Sequence, residues 1–134
     1  MLPFSIVVEG VPVSLQTKSK PSLSAWKAKI RNEAIAVAAG RPAETGRVSF
    51  LVTHYFDVSG PDVDNIIKPI QDALVGVVYV DDRQVQHTSS RRRDLNDSYK
   101  IKKADSALLL AFANGKDFVH ILVGHHVDTG DLTQ

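Results

Sequence analysis

Gly10, Gly40, Gly76 and Gly115 each close a segment whose apolar residues follow one period and then stop. FSIVVEG (4–10) has the β-rich content and partial alternation of a strand. SAWKAKIRNEAIAVAAG (24–40) has apolar residues at helical spacing, with Trp26, Ile30, Ala34 and Val37 as its buried stripe and Ser22 or Ser24 as its cap. ADSALLLAFANG (104–115) reads as a short helix, and DFVHILVG (117–124) as a final strand. No apolar run approaches the roughly 20 residues of a membrane helix. Segments this short, alternating between the two periods, leave a small α+β domain: one mixed sheet packed by two or three helices.

The middle of the chain completes the pattern. VSFLVTHYFDV (48–58) is a second strand, rich in Val, Phe, Tyr and Thr. SGPD (59–62) turns the chain, a helix begins near Asp62 to Asp64 and ends near Gly76, and VVYV (77–80) is a short strand or extended turn. Gln84 to Arg93 is a further strand with a polar face. The expected order is β-α-β-α-β-β-α-β. Residues 1–124 form one domain, and 125–134 form a loosely ordered tail. The opening MLPFSIVVEG has no basic leader, so it is read as a strand and not as a signal peptide.

PDVDNIIKPIQDALVGVVYVDD (61–82) carries the chemistry. It gathers Asp62, Asp64, Asp72, Asp81 and Asp82 around one basic residue, Lys68. At about 100° per residue, Ile66, Ile67, Ile70, Ala73 and Leu74 share one side of a helix. Asp64, Asn65, Lys68, Gln71 and Asp72 share the other, with Asp64 and Lys68 in the favourable acid-first i,i+4 order. Pro69 conflicts with a regular helix, so a bend or an irregular first turn is expected there. A cap and the helix dipole would account for Asp62 and Asp64 singly, a solvated turn for Asp81 and Asp82, and a surface pair with Asp64 or Asp72 for Lys68. Carboxylates that converge repel one another unless a cation neutralises them. Hard oxygen donors suit Mg²⁺ or Mn²⁺, with a lysine to meet a phosphate or a developing oxyanion.

The net charge of +1 conceals blocks. Residues 1–40 carry +3, residues 41–82 carry −4, residues 83–103 carry +5 and residues 104–134 carry −3. An acidic centre between basic flanks suits a phosphate backbone. Arg91, Arg92, Arg93, Lys100, Lys102 and Lys103 supply the main positive track, and Lys18 and Lys20 add to it. A charged edge strand that resists aggregation would look the same. The chain has no cysteine, which excludes disulfides and thiolate chemistry. His120, His125 and His126 lack a ligand spacing for zinc.

The run D-V-D-N-I-I-K-P-I-Q-D-A-L, a hydrophobic stretch, then D-D-R-Q-V resembles the RusA family of Holliday-junction resolvases. The resemblance implies a crossover junction endodeoxyribonuclease, mostly phage- or prophage-borne. It would act as a homodimer of small α/β subunits in the cytoplasm of a bacterial or phage-infected cell. Such a protein binds four-way DNA junctions and, with Mg²⁺, makes paired nicks in recombination and repair. Carried over by position, Asp62, Asp64 and Asp82 take the places of the catalytic metal-binding acids, with Asp81 beside them as a further ligand. Lys68 takes the place of the essential lysine, and Asp72 matches a recurrent acid. Ser59-Gly60-Pro61 stand where the best-known member has an aromatic pair. A branched-DNA-binding module that does not cut, and a nuclease preferring flaps or forks, remain the alternatives.

Overall fold

The computed structural model describes residues 1–58, 60–96 and 106–127. Four strands, β1 (Phe4–Glu9), β2 (Val48–Phe56), β3 (Val85–Asp94) and β4 (Phe118–His125), form one sheet in the order β1-β4-β2-β3. β4 runs antiparallel to both β1 and β2, and β2 and β3 are parallel. The sheet is therefore mixed, and the fold is α+β as expected. VVYV adds no strand: Tyr79 makes only isolated bridges, to Glu44 and Val75, so the described residues hold one strand fewer than the sequence suggests. β4 runs one residue into the expected tail, to His125, and residues 128–134 of that tail lie outside the described residues.

Alternation decides which face is covered. Phe4, Ile6 and Val8, Val48, Phe50 and Val52, and Val119, Ile121 and Val123 point into one core. Helices α1 (Lys20–Ala38) and α2 (Ile67–Leu74) close it, through Trp26, Ile30, Ala34 and Ala38 and through Ile70, Ala73 and Leu74. The stripe of α1 continues to Ala38 and not to Val37, which is 42% exposed. Its cap is Ser19, earlier than expected, whose side chain accepts from the Ser22 amide. Pro21 in the first turn gives up no hydrogen bond and permits this early start. Helix α3 (Ser106–Asn114) brings Phe112 against Tyr55 and Phe118, which stack with centroids 4.7 Å apart. Among the described residues no helix is long and apolar enough to cross a membrane.

The helix expected from Asp62 to Gly76 is broken. A 3₁₀ turn covers Val63–Asn65, and α2 starts only at Ile67. Pro69 is the third residue of α2, where an amide has no intrahelical acceptor, so the clash foreseen for a helix interior is avoided. Ile66, Ile70 and Leu74 are fully buried beneath it. At about 1.5–3 kcal/mol each, their burial decides where this short helix sits, because eight residues would not hold a helix alone.

Candidate active site

The acid turn is fastened from three sides. The Ser90 hydroxyl of β3 donates to the Val63 carbonyl at 2.6 Å. The Leu15 amide donates to the Asn65 carbonyl at 2.9 Å, which brings the loop carrying Lys18 alongside. Below, the buried His54 ring holds the Asp117 carboxylate at 3.0 Å, and that carboxylate also accepts from the Asp57 amide at 3.0 Å. A Cβ on Gly60 would lie 2.5 Å from His54 Cε1, so the backbone rests directly on the imidazole edge. Asp62 and Asp64 are exposed, and Asp62 makes no side-chain cap. Capping, the simplest structural account of Asp62, does not apply.

Lys68 makes no ion pair with Asp64. The 3₁₀ turn takes Asp64 out of α-helical register, so of the two acids four residues from Lys68 only Asp72 pairs with it. Lys68 Nζ instead reaches Asp72 Oδ1 at 2.9 Å, one turn on, and Asp82 Oδ2 at 3.4 Å. Lys27 of α1 approaches the other Asp72 oxygen at 3.8 Å. The hydrogen bond to Asp72, and secondly the proximity of Asp82, raise the Lys68 pKa and keep it an ammonium. Tyr79 anchors this arrangement: it is fully buried, meets Phe50 edge-on and donates to the Gln71 carbonyl of α2. Burial chiefly pushes its phenol pKa upward, so it stays a donor.

Asp81 and Asp82 have different surroundings. Asp81 caps a 3₁₀ turn (Asp82–Gln84), accepting from the Arg83 amide at 2.9 Å and pairing with the Arg83 guanidinium at 3.2 Å. The Arg83 amide foremost, then its guanidinium, lowers the Asp81 pKa to about 2. Asp82 is exposed and turned to Lys68. All the acids offer hard oxygen donors, which fit Mg²⁺ or Mn²⁺. Among the described residues no three His, Asp or Glu side chains already form a cage. Mg²⁺ needs none, since it retains several waters and takes one or two carboxylates together with phosphate oxygens.

The basic residues divide by strand alternation. Arg92 lies opposite His54 in the β2–β3 register, on the side of Ser90 and the acid turn, with its guanidinium 4.8 Å from the Phe56 ring centre. Arg91 and Arg93 face the other side, and Arg91 donates to the Thr53 hydroxyl at 2.8 Å. Lys18 and Lys20 are exposed at the start of α1. Lys100, Lys102 and Lys103 lie outside the described residues.

His54, Asp117, Tyr79 and Gln84 hold the site; Gln84 lies within the D-D-R-Q-V run, but nothing in that run marks it as an anchor, and the sequence does not mark His54, Asp117 or Tyr79 as site residues. His54 and Asp117 are 63 residues apart, and only an unpaired His inside an apolar strand hints at them. Desolvation by burial chiefly lowers the His54 pKa, Asp117 opposes this, and Arg92 adds to the lowering. The unfolded chain then binds a proton near the ordinary value of 6.5 that the folded chain refuses. This contribution to stability is complete above that pH and is lost as pH falls towards the folded pKa. The unfolding midpoint in urea is therefore expected to fall between about pH 7 and about pH 5, and the His54 ring to titrate below 6.5 by NMR. Titration at or above that value would contradict the assignment.

A small α+β domain that presents open carboxylates and a lysine beside an arginine-bearing edge strand has the parts of a protein acting on phosphodiesters. The chain matches the family model described as Endodeoxyribonuclease RusA over residues 10–102, more than half its length. It belongs to the RusA family. No curated protein matches the chain.

Proposed function

We propose that the protein is a Mg²⁺-dependent, structure-selective endodeoxyribonuclease that resolves four-way junctions by paired nicks as a homodimer. The observation that carries this is the meeting of Lys68 with Asp82, 14 residues on, in a chain of this family whose Asp62 has no capping role. Asp62, Asp64 and Asp82 would hold the ion, Mn²⁺ serving in place of Mg²⁺. Asp81 is assigned to the turn and not to the metal, because its carboxylate is already committed to Arg83. The ion, when bound, supplies Lewis-acid charge that acidifies water and offsets charge on the phosphodiester. Lys68, held protonated, donates to a non-bridging oxygen of the scissile phosphate. Arg92, Lys18 and Lys20 orient the backbone around the acid turn, so binding weakens as salt rises.

One observation favours a second substrate class. Gly60 lies against His54 with no room for a side chain, so the aromatic wedge of the best-known family member has no counterpart at that position. A nuclease that does not prise a junction open would prefer flaps or forks, whose strands are already parted. The test is a panel of labelled four-way junction, flap, fork and linear duplex with Mg²⁺, Mn²⁺ or EDTA. Junction nicking that needs metal, survives Asp81→Asn and is lost in Asp82→Asn supports the proposal. Preferential cutting of flaps or forks supports the second reading, and binding without cutting under every condition overturns both.

A further inference from the structure

Gln84 ends the 3₁₀ turn that bears Asp82, and its amide uses its full hydrogen-bonding capacity. Oε1 accepts from the Val80 amide at 2.8 Å and from the Asp81 amide at 2.8 Å. Nε2 donates to the Glu44 carbonyl at 2.8 Å and to the Gly46 carbonyl at 2.7 Å. One side chain thus ties the two residues before Asp82 to the connection between α1 and β2, 38 to 40 positions away in sequence. The Glu44 amide donates to the Val78 carbonyl at 2.8 Å and extends the tie towards Tyr79. Asp82 itself is half exposed and, among the described residues, is held across space only by Lys68.

We propose that Gln84 is the positioning residue of the site: it fixes the turn so that the Asp82 carboxylate faces Lys68. The reach and polarity required are those of glutamine. An asparagine side chain at this position would be a methylene too short. A glutamate would set a carboxylate oxygen against the Glu44 and Gly46 carbonyls, where two N–H groups now donate. The catalytic consequence rests on the function proposed above, whereas the structural part does not.

The experiment therefore has two arms, with Gln84→Glu and Gln84→Asn. The first is amide hydrogen exchange on the protein free of DNA and metal. Val80 and Asp81 should lose protection in both variants, while the core amides of Val52 and Ile121 keep theirs. Unchanged protection at Val80 and Asp81 would overturn the proposal. The second arm measures single-turnover cutting of a junction and junction affinity in EDTA. Cutting should slow about 10- to 100-fold, as for supporting partners of a metal site, with affinity unchanged. In an Asp82→Asn background neither variant should cause a further loss, since there is no carboxylate left to place. A full additional loss there, or wild-type cutting by Gln84→Glu, would overturn the positioning role. If the wild type does not cut at all, the proposed function fails, and the exchange arm decides the anchoring role alone.

Discussion

Replacing Lys68 by methionine should leave a folded protein that still binds branched DNA and cuts it about 10²–10³-fold more slowly, the usual effect of removing one charge-stabilising donor. The stability change should stay under about 1 kcal/mol, because the pairs of Lys68 with Asp72 and Asp82 are partly exposed and such pairs contribute little. The loss belongs to turnover and not to binding, since Arg92, Lys18 and Lys20 remain to hold the backbone. Lys68→Arg should recover only part of the rate: it keeps the charge, but its planar fork is wider than the space between two carboxylates 2.9 and 3.4 Å from a single ammonium. Single-turnover cutting beside a gel-shift titration separates the two effects. A methionine variant within about tenfold of wild type would remove Lys68 from the chemistry.

Gly60→Ala is expected to meet the closest clash of any alanine substitution among the described glycines. Its Cβ would lie 2.5 Å from Cε1 and 3.1 Å from Nδ1 of a ring that is fully buried and bonded to Asp117. The ring cannot swing aside without breaking that bond, so the backbone of the acid turn must lift. Overpacking of this kind costs about 1–3 kcal/mol. The displacement also falls two residues before Asp62, so cutting should drop even at temperatures where the variant is folded. Denaturant unfolding, and cutting assays at room temperature and below, test both halves. An unchanged unfolding midpoint would show that the turn can yield at no cost.

How far the site was legible depended on the sequence separation of its contacts. The strands, the long helix and the amphipathic face of α2 follow from periods of two and 3.6, which act over a few residues. The acid–lysine run could be read for the same reason. A surface pair of Lys68 with Asp64 or Asp72 could be read as well, but the choice of Asp72 could not, because a three-residue 3₁₀ turn shifts Asp64 out of register while leaving the apolar pattern intact. Asp81 and Asp82 look alike in sequence, and only their partners in space, Arg83 for Asp81 and Lys68 for Asp82, tell them apart. The arginine triplet reads as one block until strand alternation sends Arg92 to one face and Arg91 and Arg93 to the other. Gln84 and His54 act across 40 and 63 residues; the D-D-R-Q-V run contains Gln84 without telling its partners, and no local pattern tells those of His54.

The central claim is that the acid turn and the Lys68–Asp82 pair form one metal-dependent cutting site. It is tested most directly by incubating wild type and Asp64→Asn with a labelled four-way junction and with linear duplex, with and without Mg²⁺. Asp64 is exposed and caps nothing, so the substitution should not disturb folding. The expected result is Mg²⁺-dependent nicking of the junction by wild type, little cutting of the duplex, and no nicking by the variant. Equal nicking by both proteins would place the active site elsewhere.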